Sequence, residues 1–263
     1  MLNDDRSNDN GPRDAGPNSE RTARPAMPLF TAALRSTLPS PKISLRLLLA
    51  ALALSVCGLA LIGVDQSIST TLRQRHLPGD LAKAINLSEV FGHSLGAAAI
   101  LLSVWQLAPA RRPAVAAAIL ITLTSGLVAN AMKSCFVRVR PHSVDLIRVA
   151  EPDEYQFVHD VPGPRLSDGR ELVPERLTDS RQRSFPSGHA ATAWGLALGL
   201  SFAFPRGMLL FACFAGLASL QRITSGAHFP TDVLAGAAIA FAITALLLPL
   251  PPIKKLLSRT RET

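Results

Sequence analysis

The sequence predicts an all-α, polytopic integral membrane protein with six transmembrane helices, and three observations support this prediction. Hydrophobic residues make up 48% of the 263 residues and charged residues only 17%, whereas soluble domains are usually about 25% charged. Several apolar runs approach the roughly 20 residues that a helix needs to cross a bilayer. Basic residues flank these runs, as they do in membrane proteins.

The chain begins with a hydrophilic stretch and continues into the first apolar runs. Residues 1–41 are rich in Asn, Asp, Arg and Pro and lack hydrophobic periodicity, which predicts a disordered cytoplasmic tail. Because this stretch lacks the features of a cleaved secretory signal, we expect the first span to act as an uncleaved signal anchor. The first three spans are predicted over residues 43–64, 87–108 and 113–132.

The C-terminal half carries the other three predicted spans. The apolar stretch over residues 189–220 is too long for one span, and Phe204-Pro205-Arg206-Gly207 interrupts it. Proline and glycine favour a turn there, so we expect a hairpin of two helices. Residues 232–250 form the sixth span. The predicted six-helix domain therefore covers residues 42–252, and residues 253–263 form a basic cytoplasmic tail.

The net charge of +8 is explained by this topology. Basic residues gather on one side of the six spans, and the positive-inside rule makes that side the cytoplasm. They are Arg35, Lys42, Arg46, Arg111, Arg112, Arg206, Lys254, Lys255, Arg259 and Arg261. Such anchoring charges argue against nucleic-acid binding. The long hydrophilic loop over about residues 138–185 then lies outside the cytoplasm.

The same topology places three polar clusters at the extracytoplasmic membrane face. The first ends the third span (residues 133–141), the second begins the fourth span (187–189), and the third joins the last two spans (222–232). Were residues 196–220 a single span, the second and third clusters would lie on opposite faces. The hairpin is therefore what predicts one common site.

Each cluster is suited to binding an anion. Lys133, Arg140 and Arg222 supply cations, and the planar guanidinium group binds phosphate oxygens in a bidentate manner. Ser187 and Gly188 at a helix start offer backbone N–H groups and the positive end of the helix dipole. These residue types predict a phosphate-binding site.

The histidines of the clusters add covalent chemistry. His228 and Asp232 are four residues apart and share a helix face if the helix begins near His228. Asp232 would then orient the imidazole for nucleophilic attack, as a carboxylate does in the serine-protease triad. His189 is left as a general acid for the leaving group. No cluster has the ligand set of a hydrolytic metal, so we expect neither a metal nor another cofactor.

Each residue also has a purely structural interpretation. Ser187 and Gly188 would form a simple N-cap, and the cations of the first cluster would be interfacial anchors. His228 and Asp232 would be a buried hydrogen-bonded pair. His93, near the start of the second span, either lines the site or makes a helix contact. These structural interpretations do not explain why the three clusters share one face.

Together the clusters resemble the signature of the type 2 phosphatidic acid phosphatase (PAP2) superfamily, which reads K-x6-R-P, then P-S-G-H, then S-R-x5-H-x3-D. The first motif matches from Lys133 to Arg140-Pro141, and the second at residues 186–189. The third matches at Arg222, His228 and Asp232, with Gln221 in place of the usual serine. The resemblance covers about residues 43–250.

The resemblance implies a metal-independent membrane phosphatase. His228 would form a phosphohistidine, Asp232 would orient it, and His189 would protonate the leaving group. The residues expected to hold the phosphoryl oxygens are Lys133, Arg140, Ser187, Gly188 and Arg222. The expected substrate is a lipid phosphate or diphosphate surrounded by membrane lipids, in a bacterial inner membrane. Undecaprenyl diphosphate, lipid A, phosphatidylglycerol phosphate and phosphatidic acid are all open, as is the oligomeric state.

Two other functions stay open at this point. A lipid phosphotransferase would pass the phosphoryl group from the same histidine to a lipid hydroxyl. An anion or lipid transporter would use Lys133, Arg222 and His228 as a pathway, although it would need polar residues at the bilayer midplane rather than at helix ends. Vanadate-dependent haloperoxidases and soluble acid phosphatases share the anion site or the fold, but the six spans argue against both.

Overall fold

The structure is a computed structural model that describes residues 41–75, 77–136, 138–143 and 183–262. Residues 1–40 of the predicted 1–41 tail and most of the predicted 138–185 loop lie outside these ranges. Regular structure in the described residues is helical, apart from one isolated bridge between Arg138 and Arg183. The all-α prediction is confirmed for this part of the chain.

Ten α-helices follow one another in the described residues. They are α1 (Pro41–Leu61), α2 (Asp65–Gln74), α3 (Gly79–Leu87), α4 (Glu89–Gly92), α5 (Ser94–Leu107), α6 (Arg112–Met132), α7 (Gly188–Ala203), α8 (Met208–Thr224), α9 (Pro230–Leu247) and α10 (Pro251–Glu262). A 3-10 turn at Pro205–Gly207 joins α7 to α8, which confirms the predicted hairpin.

The structure describes an integral membrane protein with several helical spans. Four segments are long and apolar enough to cross a membrane, and a bent pair of segments would make a fifth. The four are Pro41–Gln74, Pro109–Met132, Pro205–Thr224 and Pro230–Leu247, and the bent pair is Gly79–Gly92 with Ser94–Leu107. The predicted fourth span, α7, has only 16 residues, fewer than the roughly 20 that usually cross a bilayer.

The second apolar run differs from the prediction, because it does not form one continuous helix over residues 87–108. The chain breaks at His93, and the segments on either side meet at a bend of 74°. His93 has an extended backbone, and its Nδ1 accepts a hydrogen bond from the Leu95 amide at 3.3 Å. His93 is therefore the N-cap of α5, and this cap starts a new helix inside the apolar run.

Helix α7 lies at the centre of the bundle and packs against α6, α8 and α9. Small residues allow this packing: a Cβ atom on Gly199 would lie 2.7 Å from the Ala118 Cα atom of α6. Close approach through small residues is typical of helices that associate in membranes. The buried position of α7 fixes its N-terminus, Ser187-Gly188, between the ends of its neighbours.

The outer helices expose apolar side chains, as expected for a surface in contact with lipid. Leu52 and Leu59 of α1 are 60% and 69% exposed, and Leu209 of α8 is 75% exposed.

The C-terminal segment differs from the predicted basic tail, because most of it forms the helix α10. Ile253 and Leu257 of α10 are buried in the core that α7 shares with its neighbours, while Lys254 and Lys255 are exposed.

Candidate active site

The three polar clusters meet at one end of the helical bundle. The Ser187 amide at the start of α7 donates a 2.9 Å hydrogen bond to the Asp232 carbonyl in the first turn of α9. A Cβ atom on Gly188 would lie 3.6 Å from Lys133 Nζ at the end of α6. The structure therefore brings the predicted site residues from all three motifs into one place.

The start of α7 combines a cap with a binding surface. Ser187 is the N-cap, and its Oγ accepts a hydrogen bond from the Ala190 amide at 3.3 Å. The structural interpretation of Ser187 is thus correct. It does not exclude a role in binding, because the first N–H groups of any helix lack intrahelical acceptors. Because Gly188 lies beside Lys133, the positive end of the α7 dipole and the Lys133 ammonium group border the same part of the site.

The turn between α8 and α9 places His228. Gly226 has a φ of 71°, a conformation that glycine adopts without strain. After this turn, the Ala227 and His228 amides both donate to the Arg222 carbonyl, at 3.1 and 3.0 Å. Helix α9 then begins at Pro230. His228 lies outside the helix, so the helical stacking of His228 on Asp232 considered above does not occur.

His228 nevertheless contacts Asp232, with 3.5 Å between His228 Nδ1 and Asp232 Oδ2. Both side chains are buried. Asp232 Oδ2 also accepts hydrogen bonds from the Phe229 amide, at 2.8 Å, and from the Ser184 hydroxyl. These donors fix the carboxylate beside one imidazole nitrogen, which leaves Nε2 as the nitrogen able to react.

A buried network that the sequence reasoning missed supports Asp232 from the other side. Arg138, fully buried, donates to Asp232 Oδ1 and also to Asp65 Oδ2, the latter at 2.6 Å. Asp65 further accepts from the Thr231 amide at 3.0 Å and from its hydroxyl. Arg138 is therefore a buried ion-pair partner rather than an interfacial anchor. The signal for Asp65 was a single acid directly after the first apolar run.

Glu89 is a second residue that the sequence did not identify, and it lies beside His189, the other histidine of the site. Its carboxylate accepts hydrogen bonds from Arg222 and, at 3.2 Å, from Gln221, the residue that replaces the usual serine. His189 Nε2 lies 3.8 Å from Glu89 Oε1. The rings of His189 and His93 are 5.8 Å apart, so His93 borders the site as well as capping a helix. An acid inside a predicted span was the signal for Glu89.

Burial, and after it mutual repulsion, lowers the pKa values of the cations in the site. Burial, together with repulsion by Arg140, lowers the pKa of Lys133 to about 8. Burial and the charge of Arg222 also lower the pKa of Arg140. Burial lowers the pKa of His228 to about 4, although Asp232 opposes this shift. At neutral pH His228 is thus a neutral imidazole with a free lone pair, as a nucleophile requires.

No group of three or more His, Cys, Asp or Glu side chains in the described ranges could hold a metal ion. Metal independence stays a prediction, to be tested by chelation.

Comparison with known proteins agrees with this geometry. Residues 114–255 match the family described as the PAP2 superfamily. The chain is similar to a lipid A 1-phosphatase of Rhizobium johnstonii, with 30% identity over 138 residues, which are 49% of this chain and 48% of that protein. A lipid A 1-phosphatase of Rhizobium etli is 35% identical over 79 residues, 26% of this chain and 34% of that one. The chain thus spans half or less of the length of these relatives.

A solved structure shares the fold. The crystal structure of the first transmembrane PAP2 type phosphatidylglycerolphosphate phosphatase from Bacillus subtilis superposes with a TM-score of 0.51 and 21% identity. The match covers 78% of this chain and 93% of that one. The match over residues 114–255 spans more than half of the sequence and includes all three motifs, and the chain therefore belongs to the PAP2 superfamily.

Proposed function

We propose that this protein is a membrane phosphatase that removes the terminal phosphate group from a lipid phosphate or diphosphate. The observation that carries the proposal is that His228, paired with Asp232, lies close to Lys133 and to the N-terminus of α7. That arrangement provides a nucleophile and a phosphate-binding surface together. Because two relatives are named lipid A 1-phosphatases, lipid A 1-phosphate is the first substrate to test.

The proposed topology has six spans, with the site at the extracytoplasmic face. It counts the bent pair and α7 as spans. A 16-residue helix is adequate for α7, because other helices rather than lipid surround it. The site lies at the ends of α6 and α8 and at the starts of α7 and α9. Arg111, Arg206 and Lys254 lie at the opposite ends of these helices, which the positive-inside rule assigns to the cytoplasm.

The proposed reaction has two steps. His228 Nε2 attacks phosphorus and forms a P–N bond, while the P–O bond to the lipid breaks and His189 gives a proton to the leaving oxygen. Water then attacks the phosphohistidine and gives a proton to His189, the P–N bond breaks, and phosphate leaves. Lys133, Arg140 and Arg222 offset the charge on the phosphoryl oxygens throughout, since this reaction gains mostly from positioning and charge stabilisation.

The test is release of phosphate by the purified protein in detergent. Lipid A 1-phosphate, phosphatidylglycerol phosphate, phosphatidic acid and undecaprenyl diphosphate form the panel. We expect release from at least one, and acid-labile phosphate on the protein after a rapid quench. His228→Ala should abolish both signals, whereas Cys57→Ser on the exposed face of α1 should change neither.

Three results would contradict the proposal. They are an absence of turnover with every lipid of the panel, label trapped by His228→Ala but not by His189→Ala, and transport without hydrolysis. Labelled phosphate that moves to an added lipid alcohol would instead identify a phosphotransferase.

A further inference from the structure

Glu89 is a carboxylate at the site that the three motifs do not include. It receives hydrogen bonds from Arg222 and Gln221, and its Oε1 lies 3.8 Å from His189 Nε2. Its side chain is 38% exposed, whereas its partners Arg222 and Gln221 are largely buried. A half-exposed acid in an apolar segment, directed at a catalytic histidine, calls for a functional explanation.

The break in the second apolar run is what brings Glu89 to the site. Helix α4 has only four residues, Glu89–Gly92, and it packs against α7 and α8. A Cβ atom on Gly92 would lie 2.9 Å from the His189 carbonyl oxygen, closer than real Cβ contacts allow. The missing side chain lets α4 approach the first turn of α7. A continuous helix through residues 87–108 could not bend here to do so.

The groups around His189 indicate how Glu89 acts on the protonation of this histidine. His189 faces Arg222 from α8, Lys133 from the end of α6, His228 from the turn, and His93 from the start of α5. Burial of the His189 ring and the charges of Arg222 and Lys133 disfavour an imidazolium ion, yet a general acid must carry a proton before it can give one. A carboxylate 3.8 Å away favours the imidazolium form. The Asp232 carboxylate, 3.5 Å from His228, likewise favours the protonated form of that histidine.

We propose that Glu89 is a positioning residue that keeps His189 oriented and protonated for transfer of the proton to the leaving group. This inference rests on the proposed phosphatase function. The site then contains two histidine–carboxylate pairs with opposite tasks: His228 with Asp232 attacks, and His189 with Glu89 protonates. The ion pair with Arg222 holds the Glu89 carboxylate in place for this role.

The test compares two substrates in Glu89→Gln. An alkyl phosphate such as the lipid substrate has a leaving group that needs a proton, whereas nitrophenyl phosphate does not. We expect kcat to fall about 100-fold for the lipid and less than about threefold for nitrophenyl phosphate, since general acid catalysis typically contributes 10²–10⁴-fold. If Glu89 only held Arg222, KM would rise equally for both substrates. That result would overturn the inference.

A double variant provides a second, independent measurement. If Glu89 acts through His189, Glu89→Gln should have no further effect on the lipid reaction in a His189→Ala background. Full additivity of the two effects would refute the proposal. Asp80→Asn, which removes an exposed acid from α3, is the matched control and should leave kcat unchanged. Wild-type protein that releases no phosphate would contradict the proposed function itself, whereas an active wild type with unaltered substrate selectivity in Glu89→Gln would contradict only this inference.

Discussion

At the scale of single residues, Lys133 sets an upper limit to the pH range of the proposed reaction. Its pKa of about 8 results from burial and from repulsion by Arg140. The ammonium group is present below that pH and is lost as the pH rises through it, so phosphate loses a binding partner. We expect kcat/KM, which reports on the free enzyme, to fall above about pH 8, measured with a soluble phosphate ester in detergent.

The Lys133→Arg variant tests whether deprotonation of Lys133 causes the fall in kcat/KM above about pH 8. A guanidinium group keeps its proton throughout the accessible range, so the fall above about pH 8 should disappear even if kcat/KM itself drops. Retention of the same limb in Lys133→Arg would show that another group causes it. A flat wild-type profile between pH 7 and 9 would contradict the role of Lys133.

The site residues divide into those that the sequence made visible and those that it did not. Ser187, Gly188 and His189 are adjacent in the chain, so their proximity was certain. His228 and Asp232 are four apart and were predicted to meet, although they do so through the turn before α9 rather than on a shared helix face. Asp65 reaches its partner Arg138 across 73 positions, and Glu89 reaches Arg222 across 133. Such distant pairs leave no pattern in one sequence beyond a lone acid beside an apolar run.

At the scale of elements, the contact between α6 and α7 depends on Gly199. A methyl group there would lie 2.7 Å from Ala118 Cα, so one helix must shift. We expect Gly199→Ala to destabilise the protein by about 1–3 kcal/mol, as overpacking does, and to lower the melting temperature in detergent. Gly216→Ala on α8 is the matched control, because a Cβ there meets nothing within 4 Å.

The control should be neutral or slightly stabilising, since alanine favours helix more than glycine does by roughly 1 kcal/mol. Equal melting temperatures for the two variants would show that the close approach of α6 and α7 does not limit stability.

The elements were predictable where composition decides them. Apolar runs predicted α1, α6 and α9, and Pro205 with Gly207 predicted the turn after α7. The break at His93 was not predicted, because a histidine cap without proline is a weak signal in an apolar run. The helix α10 was also missed, because positive charges dominate its composition and few of its residues, among them Ile253 and Leu257, are buried.

At the scale of the whole molecule, the proposed six-span topology predicts which positions an impermeant thiol reagent reaches. In a background with the three natural cysteines replaced by serine, Ser225→Cys and Asp80→Cys should react in intact cells. Arg206→Cys and Arg111→Cys should react only after permeabilisation. All four positions are exposed, so a failure to react reports sidedness rather than burial. Reaction of Ser225→Cys and Arg206→Cys from the same side would contradict the topology.

The Asp65–Arg138–Asp232 network also has a consequence for biogenesis. It links the end of the first span to the first turn of the last one, and Thr231 contacts Asp65 across 166 positions. While the chain inserts in order, Asp65 enters the membrane boundary long before α9 exists to pair with it, and an unpaired buried charge is strongly unfavourable. We therefore expect the bundle to be completed and the proposed nucleophile His228 to be positioned in the same event, and a chain that lacks α9 to release no phosphate.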